Sequence, residues 1–326
     1  MQRCRKCGLY ANYPHIRFNP TGICNYCAFY EKHKNVLEQK NALEKSFLMK
    51  MEIGKNKAKE GGAKYDCLAG LSGGKYSAYM ICQLKMRYGM RVLTFTFDNG
   101  FATDYGRQNI QNVLAKLQID HVTFSMNDEA RNRKYAACIK SGHSFCAVCK
   151  HYMYYYSYLF AEQNKIPLIL NGRPKEQILR HANRTENLEP FDAFFPLKKR
   201  ARTDKNPEFI SYFAYHDVRE KDILKFLERK IGWPRAKDAG GHPDCAAYAM
   251  AEKMHIEKRG FSMRAGELAV QTRRQRLTPD QAEKIAEQDM KRFREIPVEL
   301  EKAFESLKKE SLAAQTAPKF SFLKNK

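Results

Sequence analysis

Four cysteines near the N-terminus, Cys4, Cys7, Cys24 and Cys27, fall in the pattern C-x2-C-x16-C-x2-C. Two such pairs form two tight knuckles that present four thiolates to one ion, the spacing of a structural Zn2+ ribbon. A closed site of this kind folds a short segment that has no core of its own. A second set, Cys146-x2-Cys149 with the distant Cys245, offers three more thiols. Three ligands do not identify a metal. A second zinc completed by His143, His151 or His242 is one reading, and three core cysteines without metal is another. Cys67, Cys82 and Cys138 fall in predicted strand or helix positions and are expected in the core.

The next chemistry-bearing stretch is Leu71-Ser72-Gly73-Gly74-Lys75-Tyr76-Ser77. It follows an apolar strand pattern and precedes a helical one. At such a junction backbone N–H groups and the helix dipole favour an anion. Glycine lets the backbone approach phosphate oxygens, Ser72 and Ser77 add hydroxyls, and Lys75 adds charge. A plain strand-to-helix turn would use the same residues. The stretch is not a Walker loop, which needs G-x-x-x-x-G-K-[ST]. Asp98 and Asn99 end the next predicted strand, and Asn171-Gly172-Arg173 ends a later one, which brings all three to the carboxyl edge of one sheet. Arg173, Lys175, Arg180 and His181 are candidates for substrate phosphate. Gly240-Gly241-His242-Pro243-Asp244-Cys245 reads as a loop entering a helix, with Asp244 near its N-cap; its polar residues either face the active site or serve only as cap and turn.

The elements that must position these residues follow from periodicity. Residues 31–60 read as one or two helices, 65–71 as a strand, 75–88 as a helix, 91–97 as a strand, 105–117 as a helix and 121–125 as a strand. A further helix precedes the strand at 167–170. Strands alternating with helices predict a doubly wound α/β fold with a parallel sheet. Past residue 205 the pattern is mainly helical, near 219–230, 244–258, 278–292 and 296–310. Thr278 and Pro279 mark a helix start. Five tyrosines at 152, 154, 155, 156 and 158 crowd one helix, which reads either as core packing or as a base-stacking platform. The organisation expected is a ribbon (1–30), a helical linker (31–62), the α/β domain (63–205), a helical region (206–310) and a basic tail (311–326).

Composition sets the outer bounds. With 43% hydrophobic residues over 326, a substantial core is affordable and global disorder is excluded. No apolar run reaches the ~20 residues of a membrane span. The first residues lack a signal peptide's apolar stretch, so a cytoplasmic location is expected, where close cysteine pairs bind metal rather than form disulfides. A net charge of +22 implies an anionic partner. Its local peaks are at 198–202 and at Arg273, Arg274 and Arg276, which read either as anion contacts or as solvated surface.

The glycine stretch resembles the PP-loop of ATP pyrophosphatases, S-G-G-x-D-S, with Tyr76 standing in the place of the aspartate. Phe97-Asp98-Asn99-Gly100 is similar to that family's second segment. The resemblance implies a Rossmann-like fold, ATP and Mg2+ as cofactors, and cleavage between the α- and β-phosphates to adenylylate a substrate oxygen. It places ATP at Ser72, Gly73, Gly74, Lys75, Ser77, Asp98, Asn99 and Gly172, with Lys75, Asp98, Cys146 and Cys149 as catalytic residues. The ribbon, with Phe18-Asn19-Pro20-Thr21-Gly22-Ile23 leading into Cys24, resembles the opening of N-acetyl sugar amidotransferases of surface-polysaccharide biosynthesis. That implies a sugar nucleotide as substrate and a glutaminase subunit supplying ammonia. Cys146, Cys149 and Cys245 resemble the set of iron–sulfur tRNA thiolases, which implies a [4Fe-4S] cluster and tRNA. Amidotransfer is the first expectation and thiolation the alternative. A PP-loop binding protein without activity is the third reading, carried by Tyr76.

Overall fold

A computed structural model of the chain describes residues 2–141, 144–180, 206–234 and 242–313. Strands β1 (Cys67–Gly70), β2 (Val92–Asp98), β3 (His121–Ser125), β4 (Leu168–Asn171) and β5 (Glu208–Ser211) form one sheet in the order β3-β2-β1-β4-β5. Every neighbouring pair is parallel. The doubly wound α/β architecture expected from the alternating pattern is therefore present. Helices α1 (Asn25–Leu37) and α2 (Lys40–Glu60) precede the sheet. Helices α3 (Lys75–Met86) and α4 (Asp104–Leu117) carry the chain from β1 out to β3. Helices α5 (Asp128–Lys140) and α6 (Phe145–Gln163) bring it back to β4, beside β1, and α7 (Lys175–Leu179) follows. The winding direction reverses between β1 and β4, which opens a crevice at the carboxyl ends of those strands, where open α/β sheets bind ligands.

Successive strand residues point to opposite faces. Cys67, Ala69 and Leu71 pack on one side against Phe47 and Met51 of α2 and Ala78 and Ile81 of α3. Leu68, Leu93, Phe95 and Ile169 pack on the other against Tyr154, Tyr158 and Ala161 of α6. With both faces covered, the inner strands read as unbroken apolar runs. The tyrosine-rich helix thus divides its rings: Tyr154 and Tyr158 are core, while Tyr155 is exposed. Cys67 and Cys82 are fully buried as expected, and Cys138 is half-buried.

Past β5 come α8 (Tyr212–Tyr215), α9 (Glu220–Ile231), α10 (Ala247–Arg259), α11 (Ala265–Arg273), α12 (Pro279–Arg292) and α13 (Val298–Ala313). Helix α12 starts as its sequence dictates. The Thr278 hydroxyl accepts from Gln281 N at 3.2 Å, the Gln281 side chain accepts from Thr278 N at 2.9 Å, and Pro279 opens the first turn. Strand β5 lies in the stretch read as mainly helical; four residues carry too little periodicity, and only pairing with β4 fixes them. Helix α11 has no side-chain cap to announce it. Among the described residues no helix is long and apolar enough to cross a membrane.

The basic peak at 273–276 is neither a solvated face nor an anion contact. Arg274 lies buried among three carboxylates, Glu38 at 2.8 Å, Glu176 at 2.9 Å and Asp217 at 2.8 Å, and Arg276 shares Glu176 and Asp217. Residues 198–202, His143, His181 and the tail from 314 lie outside the described residues.

Candidate active site

The N-terminal cysteines come together as their spacing dictates. Cys24 sits at the N-cap of α1 and Cys27 in its first turn, facing the Cys4–Cys7 knuckle. Sulfur–sulfur distances are 3.8 Å for Cys4–Cys27, 3.7 Å for Cys7–Cys24 and 3.7 Å for Cys24–Cys27. Thiolates ~2.3 Å from a tetrahedral ion stand ~3.8 Å apart, so the cage has the size of Zn2+. All four are buried, and the Arg273 guanidinium lies 3.4 Å from Cys7 Sγ, where it would offset the negative charge of four thiolates around a divalent ion. The site packs on Ala269 of α11, far along the chain from the glycine loop.

That loop leaves β1 and enters α3, whose N-cap Gly74 is extended and makes no side-chain cap. The first-turn N–H groups of α3 thus face outward without a capping side chain, as an anion requires. The loop is held from behind. Ser77 Oγ donates to Gly74 O at 2.9 Å, Gly74 N donates to Ser72 Oγ at 3.2 Å, and the buried Asn109 amide donates to Gly73 O at 3.1 Å. Gly73 is the strict glycine. Its φ is +84°, and a Cβ there would lie 2.3 Å from Gly106 O. Gly172, after β4, is needed for a different reason: a Cβ would lie 2.8 Å from Ser77 N, so the two carboxyl-edge loops touch across the crevice.

Two residues of the loop are turned elsewhere. Tyr76 stacks edge-on against Phe213 and donates to Glu220 at 3.0 Å, and Lys75 pairs with Glu220 at 3.2 Å. Both contacts lie on the α8–α9 side. Burial raises the Tyr76 phenol above its usual pKa, so it stays protonated and supplies no negative charge.

The second cysteine set gathers at the end of β2. Asn99 Nδ2 lies 3.4 Å from Cys245 Sγ and 3.8 Å from Cys149 Sγ. Cys146 and Cys149 occupy the first turns of α6, and Cys245 is brought in by backbone pairing with the β2 loop, where Ala246 N donates to Phe101 O at 2.9 Å. Burial, reinforced by the neighbouring sulfurs, pushes Cys149 up to about 12; burial pushes Cys245 up to about 11, against the Asn99 hydrogen bond. Thiols so placed are neutral until a cation draws them into thiolates. Among the described residues, only the N-terminal set has three or more metal-ligating atoms all within 4.8 Å of one another. The structure thus brings Cys149 and Cys245 to the Asn99 amide, but does not draw all three sulfurs into the close cage seen at the N-terminus. His151 and His242 join neither set: His151 packs on Tyr152 and His242 on Tyr248.

Sequence reasoning passes over two groups here and leaves a third between two readings. Arg131 lies against Gly100, close enough to meet any Cβ there at 2.6 Å, with its buried Nε unpartnered among the described residues. Lys150 follows Cys149. Burial of its ammonium end, then the guanidinium groups of Arg173 and Arg180, lowers its pKa, although the residue keeps exposed surface. Asp244, read either as facing the site or only as cap and turn, places its carboxylate at the glycine loop, 3.4 Å from where a Gly74 Cβ would stand. A basic residue beside a C-x2-C pair was the one signal in the sequence. The Asp244 contact spans too much chain to leave one.

No protein-family model matches the chain. It is 25% identical over 240 residues to the uncharacterized protein MJ1599 of Methanocaldococcus jannaschii, covering 72% of this chain and 77% of that one. Among solved structures, the U34-tRNA thiolase NcsA of Methanococcus maripaludis with its [4Fe-4S] cluster aligns at a TM-score of 0.40 and 14% identity, over 84% of this chain and 88% of that one. The NMN synthetase of Francisella tularensis aligns at 0.40 and 14%, over 72% of this chain and 95% of that one. The NH3-dependent NAD synthetase of Campylobacter jejuni aligns at 0.39 and 13%, with the same coverage.

Proposed function

We propose that this chain cleaves ATP to AMP and pyrophosphate to activate an oxygen of an anionic substrate, and that Cys146, Cys149 and Cys245 serve replacement of that oxygen by sulfur. The observation that carries this reading is the dipeptide Asp244-Cys245. Its carboxylate meets the glycine loop while its sulfur shares the Asn99 amide with Cys149. Nucleotide loop and cysteine set are thus neighbours on one sheet edge. The substrate oxygen attacks the α-phosphorus and pyrophosphate leaves. Sulfide then bonds to the carbon, and the oxygen departs with AMP. The α3 N-terminus would hold phosphate, and Lys150 and Arg173 would draw the anionic substrate to the crevice. A [4Fe-4S] cluster held by three thiolates leaves one iron able to carry sulfide.

The second reading replaces the oxygen with nitrogen, using ammonia from a glutaminase subunit. It is favoured by the ribbon and the residues leading into Cys24. Metal analysis separates the two. Anaerobically purified protein should be brown, with iron and acid-labile sulfide near four each per chain, and Cys245→Ala should lose the colour. Zinc or no metal at these cysteines would leave nitrogen transfer ahead.

Nucleotide chemistry has its own test. Gly74 has an ordinary φ, so Gly74→Val keeps the backbone but crowds Ser72 Oγ and Asp244 at the loop mouth, 3.3 and 3.4 Å from the new Cβ. ATP binding should fall at least about tenfold, the loss of ~1.4 kcal/mol. Release of ADP rather than AMP by the wild type would exclude the proposed cleavage.

A further inference from the structure

We propose that Asp244 supplies the carboxylate for the magnesium ion of bound ATP, replacing the acidic residue that position 76 lacks. The assignment rests on reading the glycine loop as the phosphate site. Asp244 Oδ2 and Cγ lie 3.4 and 3.6 Å from the position of a Gly74 Cβ, so the carboxylate sits on the loop itself. Its backbone is fixed there. Thr103 N donates to Asp244 O at 3.2 Å and Thr103 Oγ1 to Pro243 O at 2.6 Å. Gly106 makes the approach possible, since a Cβ on it would stand 2.9 Å from Asp244 O.

The side chain is only 10% exposed, and the His242 ring stands beside it, with Nδ1 at 3.8 Å. No hydrogen-bond donor among the described residues satisfies it. A largely buried carboxylate that faces phosphates is repelled unless a cation lies between them. Mg2+ is held in this way, by one or two carboxylates together with substrate phosphates and water. Tyr76 cannot take the role, being protonated and bonded to Glu220. Asp98, on the same edge, already accepts at Oδ1 from Gly100 N at 2.9 Å.

The test is calorimetric titration of the full chain with ATP, once with excess Mg2+ and once with EDTA. In the wild type Mg2+ should tighten ATP binding. In Asp244→Asn that benefit should shrink at least about tenfold, as expected when the carboxylate on a solvated ion is lost. Metal-free ATP should bind as well or better, because a negative charge has gone, and Asp244→Glu should keep part of the benefit. Unchanged melting temperatures would show that the fold is intact. An Asn variant with the full wild-type benefit would overturn the assignment. So would one that tightens ATP equally with and without metal, since the carboxylate would then be a competitor for phosphate. Wild-type protein that binds no ATP in either condition would remove the loop reading and this assignment with it.

Discussion

Arg274→Met should cost about 3–5 kcal/mol of stability, read as a lower urea midpoint at pH 7. The guanidinium is 2% exposed and contacts Glu38, after α1, Glu176, on α7, and Asp217, between α8 and α9. One side chain therefore ties the N-terminal segment, the β4 loop and the C-terminal helices to α11. Methionine fills the space but strands three carboxylates, two of them less than 15% exposed. Arg276 and Lys175 still reach parts of the cluster, which sets the loss toward the lower figure. The network also fixes an acid limit. Burial alone would raise the Asp217 pKa, but Arg274 and Arg276 outweigh it and hold it near about 2. With a folded pKa below the ordinary ~3.9, its stabilisation is complete above that value and lost as pH falls toward about 2. The variant should lose less than the wild type across that interval, because its Asp217 is no longer held down as far.

Cys24→Ser should remove about one equivalent of metal and unfold the N-terminal segment while the sheet remains. Cys24 is fully buried and lies 3.7 Å from both Cys7 and Cys27, so serine leaves an incomplete cage with no room for relaxation. Apart from the cysteines, the segment's core is Leu9 and Tyr26 on Ala269, the partly buried Tyr13, Ile16, Phe18 and Ile23, and Tyr10 stacked on Phe261. A zinc ion held there would add folding free energy on the order of 10 kcal/mol, as in isolated zinc modules. Zinc analysis with limited proteolysis would show the change. Intact metal content and an uncleaved N-terminus in the variant would refute the zinc ribbon.

What was legible in the sequence was what is encoded locally. The ribbon ligands lie within 24 residues, and two of their spacings are set by knuckle geometry. Strands buried on both faces advertise themselves as apolar runs, and Thr278-Pro279 marks a helix start wherever it is packed. The rest depends on distant partners. The run at 273–276 has the composition of an anion-binding surface, and only the three carboxylates brought from residues 38, 176 and 217 make it an internal tie. The loop glycines were read as equivalent, yet Gly73 alone has the positive φ and the Gly106 backbone behind it. Tyr76 stood out as a departure, but its pairing with Glu220 and the carboxylate that Asp244 brings to the loop required the fold.

The docking of residues 242–246 onto the β2 loop has a consequence for synthesis. Glycine loop and Asp98-Asn99 leave the ribosome early, whereas Asp244 and Cys245 follow well over a hundred residues later. At ~5–20 residues per second, on the order of ten seconds separates the two. A nascent chain can thus form the parallel strands around β1 while its third thiol is still untranslated. A polypeptide truncated before residue 245 would carry the glycine loop but lack the sulfur that meets Asn99 beside Cys149.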